Sequence, residues 1–272
     1  MKEQPARPAS TVCAVRQNRD HLEVLMVQRG TTAKFMAGAW VFPGGIVDPE
    51  DSFAETMAHT GVTDPVLAPW VSAAARELAE ETGIWVTANG TSFARRDERG
   101  LRNGALSAHL TERGMTWAGS NFCWFVTWVT PTMVPMRFEA RFFAVELPMG
   151  IDPDPDPAEL DRAQWIRPAD AEARAATGEW IVPLPTLKTL ARISEHDSVE
   201  AWFAYIEAQS TVEVIQPRMR VLDDDSVELL LPGEAGFEEL GDLPPDPEAL
   251  ARAGEAARRA GNTSMSEVTD AS

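Results

Sequence analysis

The sequence is poor in the residues that build disulfide or zinc frameworks. Its 272 residues include two cysteines and four histidines. Cys13 and Cys123 stand far apart in apolar, strand-like runs, which reads as two buried free thiols rather than a disulfide. His21, His59, His109 and His196 are scattered, and no Cys/His spacing marks a zinc site. Positive charge is scarce as well. Against 42 Asp and Glu there are 24 Lys and Arg, for a formal net charge of −18. That balance argues against a nucleic-acid backbone or an anionic membrane as partner. It still permits a small anionic substrate, because a bound metal and a few cations reverse the potential locally. No apolar run reaches 18 residues and no signal-peptide pattern is present, so a soluble cytoplasmic chain is the expectation. No internal repeat is visible.

What the chain does have is apolar mass. A 44% hydrophobic fraction and nine Trp are enough for a sizeable core, in one large domain or a domain with an appendage. The most informative stretch is Ala73 to Ile84. Val71, Ala74, Ala75 and Leu78 fall at i, i+3, i+4 and i+7, the spacing of one apolar helix face. Glu77, Glu80 and Glu81 form a second cluster about a third of a turn away, and Gly83 is a natural C-cap. Taken alone this is poor helix design. Like charges at these spacings repel, and two of them sit in the last turn, where the helix dipole favours cations. Two readings follow: a solvated acidic face with an Arg76–Glu80 ion pair, or a carboxylate cluster that holds Mg²⁺ or Mn²⁺.

The preceding stretch favours the second reading. Val41-Phe42-Pro43-Gly44-Gly45 is a short apolar run stopped by Pro-Gly-Gly, consistent with a strand-turn-helix unit. Arg76, Glu77, Leu78, Glu80, Glu81, Gly83 and Ile84 resemble the second half of the Nudix box of the Nudix hydrolases, Gly-x5-Glu-x7-Arg-Glu-Ω-x-Glu-Glu-x-Gly-Ω with Ω apolar. Gly45 resembles its opening glycine. Gly45 and Arg76 stand 31 positions apart, about 17 more than in the family pattern. The first Glu of the box therefore has no assigned counterpart: counting forward reaches Asp51, counting back reaches Ala68.

A second resemblance lies upstream. Leu25-Met26-Val27-Gln28-Arg29, then Lys34, Gly38 and Phe42-Pro43-Gly44-Gly45, is similar to the motif of the coenzyme A diphosphatase branch, Leu-Leu-Thr-x-Arg-(Ser/Ala)-x3-Arg-x3-Gly-x3-Phe-Pro-Gly-Gly. Val27, Gly30 and Lys34 depart from it. Lysine keeps the charge but loses the planar fork of arginine. An insertion inside the box resembles the branch that includes peroxisomal coenzyme A diphosphatases, although Asp270-Ala271-Ser272 is not a Ser-Lys-Leu address.

The resemblance implies an α+β Nudix fold, a mixed β-sheet sandwiched between helices, with an inserted segment and a C-terminal helical and hairpin extension. It implies a metal site of Glu77, Glu80 and Glu81, with Arg76 orienting a glutamate and Glu159, or Asp161, in a loop before Trp165 as a further ligand or general base. It implies substrate contacts from Arg29, Lys34, Gly38, Gly44 and Gly45, with Arg137 and Arg141 as further phosphate-facing candidates. By their ordinary chemistry the three box glutamates are ionised at neutral pH. The implied reaction is metal-dependent hydrolysis of a nucleoside diphosphate-linked small molecule. Coenzyme A or an acyl derivative would be cut to 4′-phosphopantetheine and 3′,5′-ADP. ADP-ribose or NADH is the alternative substrate class, and a non-catalytic nucleotide-binding domain the alternative role. Relatives are often homodimers.

Along the chain, residues 1–10 read as a loose end, 11–240 as the Nudix domain with an insertion at about 48–70 and an extension at about 183–240, and 241–272 as a disordered tail. Expected strands are Thr11–Arg16, Leu22–Arg29, Trp85–Thr87, Asn121–Thr130 and Arg137–Leu147. Ser52–His59, Ala105–Arg113, Pro168–Ala176, Pro183–Ile193 and Ser198–Gln209 read as helices, and Thr211–Arg220 with Ser226–Leu231 as a hairpin around Asp223-Asp224-Asp225. A transient helix is expected at Ala249–Ala260.

Overall fold

A computed structural model describes residues 5–33, 36–101, 104–132, 136–240 and 252. Two long strands start it, β1 (Arg7–Asn18) and β2 (His21–Arg29), paired antiparallel as the sequence predicts. β1 begins earlier than expected. Residues 7–10 are no loose end, because β1 is hydrogen-bonded from Arg7 onward to a later strand and from Ala9 to Thr11 to a third. The short β3 (Trp40–Val41) and β4 (Gly44–Ile46) follow, so the glycine pair lies in an extended segment against β1 rather than in a simple turn.

The insertion forms a one-turn 3₁₀ helix at Pro49–Ser52 and α1 (Ala54–Ala58) before the long α2 (Ala68–Thr82). Then come β5 (Ile84–Thr87), β6 (Gly90–Phe93), a 3₁₀ turn at Arg96–Glu98, α3 (Ala105–Arg113), β7 (Cys123–Val129) and β8 (Phe138–Glu146). β9 (Leu160–Ile166), α4 (Pro168–Ala176), α5 (Leu184–Ser194) and α6 (Val199–Glu207) lead to β10 (Glu213–Ile215), the hairpin β11 (Arg218–Val221) and β12 (Val227–Leu230), and α7 (Phe237–Leu240). The expected first hairpin strand is split. β10 joins the main sheet parallel to β7, and only β11 pairs with β12. Apart from Arg252, the expected tail and transient helix lie outside the described residues.

The central mixed sheet runs β10-β7-β8-β1-β2-β3, with β4 also on β1 and β9 also on β2. β1 sits in its middle, apolar on both faces, which is why Val12-Cys13-Ala14-Val15 reads as a continuous apolar run. Cys13 and Val15 point into the core shared with α4, α5 and α6, where Ala171, Leu190, Ile193 and Trp202 are buried. Val12 and Ala14 point to the opposite core, against Val71, Ala74, Ala75 and Leu78 of α2 and Leu106 and Leu110 of α3. The sheet is thus sandwiched between two helical layers, the expected α+β architecture. Trp40 and Phe42 are core residues, Trp40 stacked on Trp180 with ring centroids 4.0 Å apart. Cys13 and Cys123 both pair in register with Ala144 from opposite sides. Two strand spacings, about 9–10 Å, exceed the reach of a disulfide, and both thiols are free. Among the described residues no helix is long and apolar enough to cross a membrane.

Candidate active site

The apolar stripe of α2 fixes where its acids go. With Val71, Ala74, Ala75 and Leu78 buried against the sheet, Glu77 and Glu81 are turned toward the Gly44-Gly45 segment of β4. A β-carbon at residue 45 would stand 2.5 Å from Glu77 Oε1, so only glycine lets the carboxylate lie there. The neighbouring Gly44 passes so close to the Ser10 carbonyl that a β-carbon there would clash as well, and its N–H donates to Glu81 Oε2 at 3.0 Å. Gly83 closes the helix in the left-handed conformation, φ 72°, with its N–H on the Ala79 carbonyl.

Arg76 is the hub that links the acids. It is buried, and donates to Asp51 from Nε (3.2 Å) and Nη2 (2.8 Å), to the Ile46 carbonyl (3.0 Å), to Glu77 Oε1 (2.7 Å) and to Glu80 Oε2 (3.3 Å). Burial works against its charge. The Asp51 hydrogen bonds and the fields of Glu77, Asp51 and Glu80 outweigh that and push its pKa further up. Asp51, also bonded by Ser72 Oγ at 2.8 Å, is 1% exposed. The geometry resolves the position that spacing alone left open: the acid that answers Arg76 is Asp51, at the end of the 3₁₀ turn, while Ala68 is simply the first residue of α2.

A third element closes the cluster. The loop before β9 docks on the C-terminal end of α2, Asp154 N–H on the Thr82 carbonyl (2.9 Å) and Asp156 N–H on the Glu81 carbonyl (3.0 Å). These bonds satisfy helix-end carbonyls that otherwise lack partners, and they carry acids to the end of the helix that already holds Glu80 and Glu81. A cavity of about 150 Å³ opens there, lined by Glu80, Asp156, Glu159, Arg96, Arg99 and Gly100. Glu81, on the same turn of α2 as Glu80, is buried. Burial pushes its pKa well above the usual carboxylate range, Glu77 adds to this, the Gly44 N–H and Arg29 oppose it, and Glu159 adds again. Desolvation and its acidic neighbours thus penalise a negative charge on Glu81.

The other expected residues are distributed unevenly. Arg29, at the end of β2, is close enough for its charge to act on Glu81. The backbone of Glu159 accepts the Gly30 N–H at 2.8 Å, which ties the Arg29 end of β2 to the acidic loop, while Asp161 accepts the Thr31 N–H at 3.2 Å. Gly38 serves the loop itself, with φ 73° and its carbonyl receiving the Gln28 amide. Lys34 lies outside the described residues. Arg137 and Arg141 do not share a strand face toward phosphate. Arg137 precedes β8, is buried, and donates to the Thr130 carbonyl. Arg141 is sandwiched between the rings of Trp70 and Trp124, 3.9 and 4.3 Å from their centroids.

Among the described residues no three Asp, Glu, His or Cys side chains converge into a metal cage, since Arg76 draws the Glu77 and Glu80 carboxylates to itself. The donor chemistry nevertheless fits a hard divalent cation: every candidate ligand is a carboxylate, and the crowding of Glu77 and Glu159 on Glu81 is the imbalance that such a cation removes. Sequence reasoning missed Arg96, Arg99, Asp154 and Asp156. Their signals were a basic run, Arg95-Arg96 and Arg99, in an acidic chain, and an Asp-rich loop just ahead of Glu159.

Two known proteins resemble the chain in the same sense. Over 195 residues it is 32% identical to a Caenorhabditis elegans protein that carries the name nudix hydrolase 7, a match covering 69% of this chain and 60% of that protein's length. The crystal structure of a NUDIX hydrolase from Alicyclobacillus acidocaldarius superposes with a TM-score of 0.64 at 30% identity, covering 77% of this chain and 97% of the other. No family model matches the chain. The fold and the carboxylate-bearing helix packed on a Gly-Gly strand define a Nudix domain. The chain belongs to the Nudix hydrolase superfamily.

Proposed function

We propose that the protein hydrolyses the diphosphate linkage of a small nucleotide derivative in a reaction that needs Mg²⁺ or Mn²⁺, and that coenzyme A or an acyl-coenzyme A is the substrate. The observation that carries this reading is a cavity lined by Glu80 and Glu159, with Glu77 and Glu81 of the same helix against Gly44-Gly45 and with Glu77, Glu159 and Arg29 close enough for their charges to act on Glu81. A cation held by Glu77, Glu80 and Glu81 supplies Lewis acidity toward water and neutralises diphosphate oxygens when bound. The chain's own groups do the rest. Arg76 fixes the orientation of Glu77 and Glu80. Gly44 and Gly45 let the backbone of β4 pass close to the Glu77 and Glu81 carboxylates. Glu159 takes the proton of the attacking water as its oxygen bonds to phosphorus and the bridging P–O bond breaks. The departing phosphate leaves with the electron pair. Arg29 offers a planar fork to phosphate oxygens.

The coenzyme A assignment rests on the Arg29-to-Gly45 resemblance, in which Lys34 replaces an arginine. Product analysis tests it. The protein is incubated with coenzyme A, acetyl-coenzyme A, ADP-ribose and NADH, each with Mg²⁺, Mn²⁺ or EDTA. Metal-dependent 3′,5′-ADP from the coenzyme A compounds is the expected result. AMP from ADP-ribose or NADH with coenzyme A untouched would overturn the substrate and keep the chemistry. No product from any of them would remove the hydrolytic reading.

A further inference from the structure

We infer that Arg96 is a phosphate-binding residue of the diphosphate site, presented by an ionic clamp in which Arg99 and Asp154 are the fixed parts. The inference rests on the hydrolytic reading above and adds to it a specificity-determining group from outside the Nudix box and the upstream motif. Arg96 and Arg99 line the same cavity as Glu80 and Glu159, and they are its cationic lining residues among those described.

The two arginines are used differently. Arg99 is only 7% exposed. Its Nη1 donates to the Asp154 carbonyl at 2.7 Å, and its Nη2 donates to Asp154 Oδ2 at 2.9 Å and to the Ala94 carbonyl at 3.4 Å. The guanidinium lies where a β-carbon of residue 83 would be, so Gly83 both ends α2 and admits Arg99. Arg99 thereby ties the segment after β6 to the loop before β9, itself bonded to α2 through the Asp154 N–H. Arg96 is 62% exposed and donates from Nη2 to the other oxygen of Asp154 at 2.7 Å. The turn that carries it is held by Glu98, whose carboxylate accepts the Arg95 N–H at 2.9 Å and pairs with Arg113. One carboxylate thus holds one terminal nitrogen of an exposed guanidinium that has five donors in all, in a cavity also lined by Glu80, Asp156 and Glu159.

Charge complementarity points to the occupant. Glu80, Asp156 and Glu159 against Arg96 and Arg99 leave the lining one charge negative, and Asp154, bonded to both arginines, makes it two. A divalent cation on the acids cancels that excess, so a phosphate group bridging cation and guanidinium meets no net repulsion there. A planar, fixed arginine is the side chain suited to grip such oxygens.

The test compares Arg96→Ala, Arg96→Lys and Arg95→Ala. Arg95 sits one residue away, is 69% exposed, pairs with Asp97 and does not line the cavity, so its removal changes the net charge equally. With the best substrate of the panel and saturating Mg²⁺, Arg96→Ala is expected to raise KM about tenfold or more, as loss of a charge-assisted hydrogen bond does. Arg96→Lys is expected to recover part of it and Arg95→Ala to leave KM within about twofold of wild type. The melting shift caused by ADP with Mg²⁺ should shrink in Arg96→Ala and persist in Arg95→Ala. Equal effects of Arg96→Ala and Arg95→Ala on KM and on the ADP shift, in a wild type that does turn over, overturn this inference alone. A wild type that neither turns over nor is stabilised by ADP overturns the hydrolytic reading and the inference with it.

Discussion

Asp51 and Arg76 are 25 residues apart in the chain, yet both oxygens of the one meet the guanidinium of the other, at 2.8 and 3.2 Å, with Asp51 1% exposed. The pair joins the inserted segment to the acidic helix. Removing one side of a buried, hydrogen-bonded ion pair leaves the other charge uncompensated. Asp51→Ala is therefore expected to cost about 3–5 kcal/mol of stability, measured by urea unfolding. It should also lower activity at temperatures where the fold survives, because Arg76 then competes more strongly for Glu77 and Glu80. A change within experimental error would show that Asp51 does not anchor Arg76.

Gly45 is constrained by the Glu77 carboxylate rather than by a turn. Gly45→Ala places a methyl about where that carboxylate lies, 2.5 Å from Oε1. Displacing a positioned group by about 1 Å can cost a hundredfold in rate. The expected outcome is a fall in kcat of that order with a melting temperature close to wild type. An unchanged kcat would mean that Glu77 does not need its place beside β4.

The acids are argued to hold a divalent cation, which Mn²⁺ reports directly. Electron paramagnetic resonance of Mn²⁺ titrated into wild type should show loss of the free-ion signal, and Mg²⁺ should restore it. Glu77→Gln and Glu81→Gln should each weaken the binding by about tenfold or more, as removal of one charged ligand does. Equal binding by all three proteins would place any metal elsewhere.

Cys13 supplies a pH dependence. Its burial pushes the thiol well above its ordinary value. The native state keeps the proton while the unfolded chain loses it above about pH 8.5. Since stability rises only where the unfolded state binds more protons, this group lowers stability as pH rises through that value, with a limiting slope of about 1.36 kcal/mol per pH unit. Cys13→Ala should flatten the alkaline limb of the unfolding free energy. The thiol should also resist iodoacetamide until the protein is denatured; labelling of native Cys13 at the rate of a free thiol would contradict its burial.

Much of this fold could be read from patterns. The stripe of Val71, Ala74, Ala75 and Leu78 located α2 and the buried face that aims Glu77 and Glu81 at β4. The apolar runs around Val12 and Leu25 located the first hairpin, because buried strands need little else to declare themselves. What escaped has physical causes. β10 lies inside the strand expected at Thr211–Arg220, but its three residues pair with β7 while β11 pairs with β12, and nothing local marks where that strand splits. The partner of Arg76 was ambiguous because the insertion broke the spacing that normally identifies it. Arg96 and Arg99 owe their position to Asp154, 58 and 55 residues further on, a relation that no window of sequence contains. Arg141 was a phosphate-facing candidate through the family resemblance, and the neighbouring tryptophans that capture it come from two other elements.

The measurement that tests the central claim most directly is metal-dependent turnover of wild type against Glu80→Gln, run on the coenzyme A and ADP-ribose panel with folding checked by melting temperature. Glu80 lines the cavity beside Glu159 and pairs with Arg76, and neither role sustains the core. The account predicts a loss of at least about a hundredfold in kcat/KM, about 2.7 kcal/mol of transition-state stabilisation, in a protein that melts like wild type. Turnover that persists in Glu80→Gln would contradict it, because the carboxylate cluster of α2 would then not be the place where the diphosphate is cut.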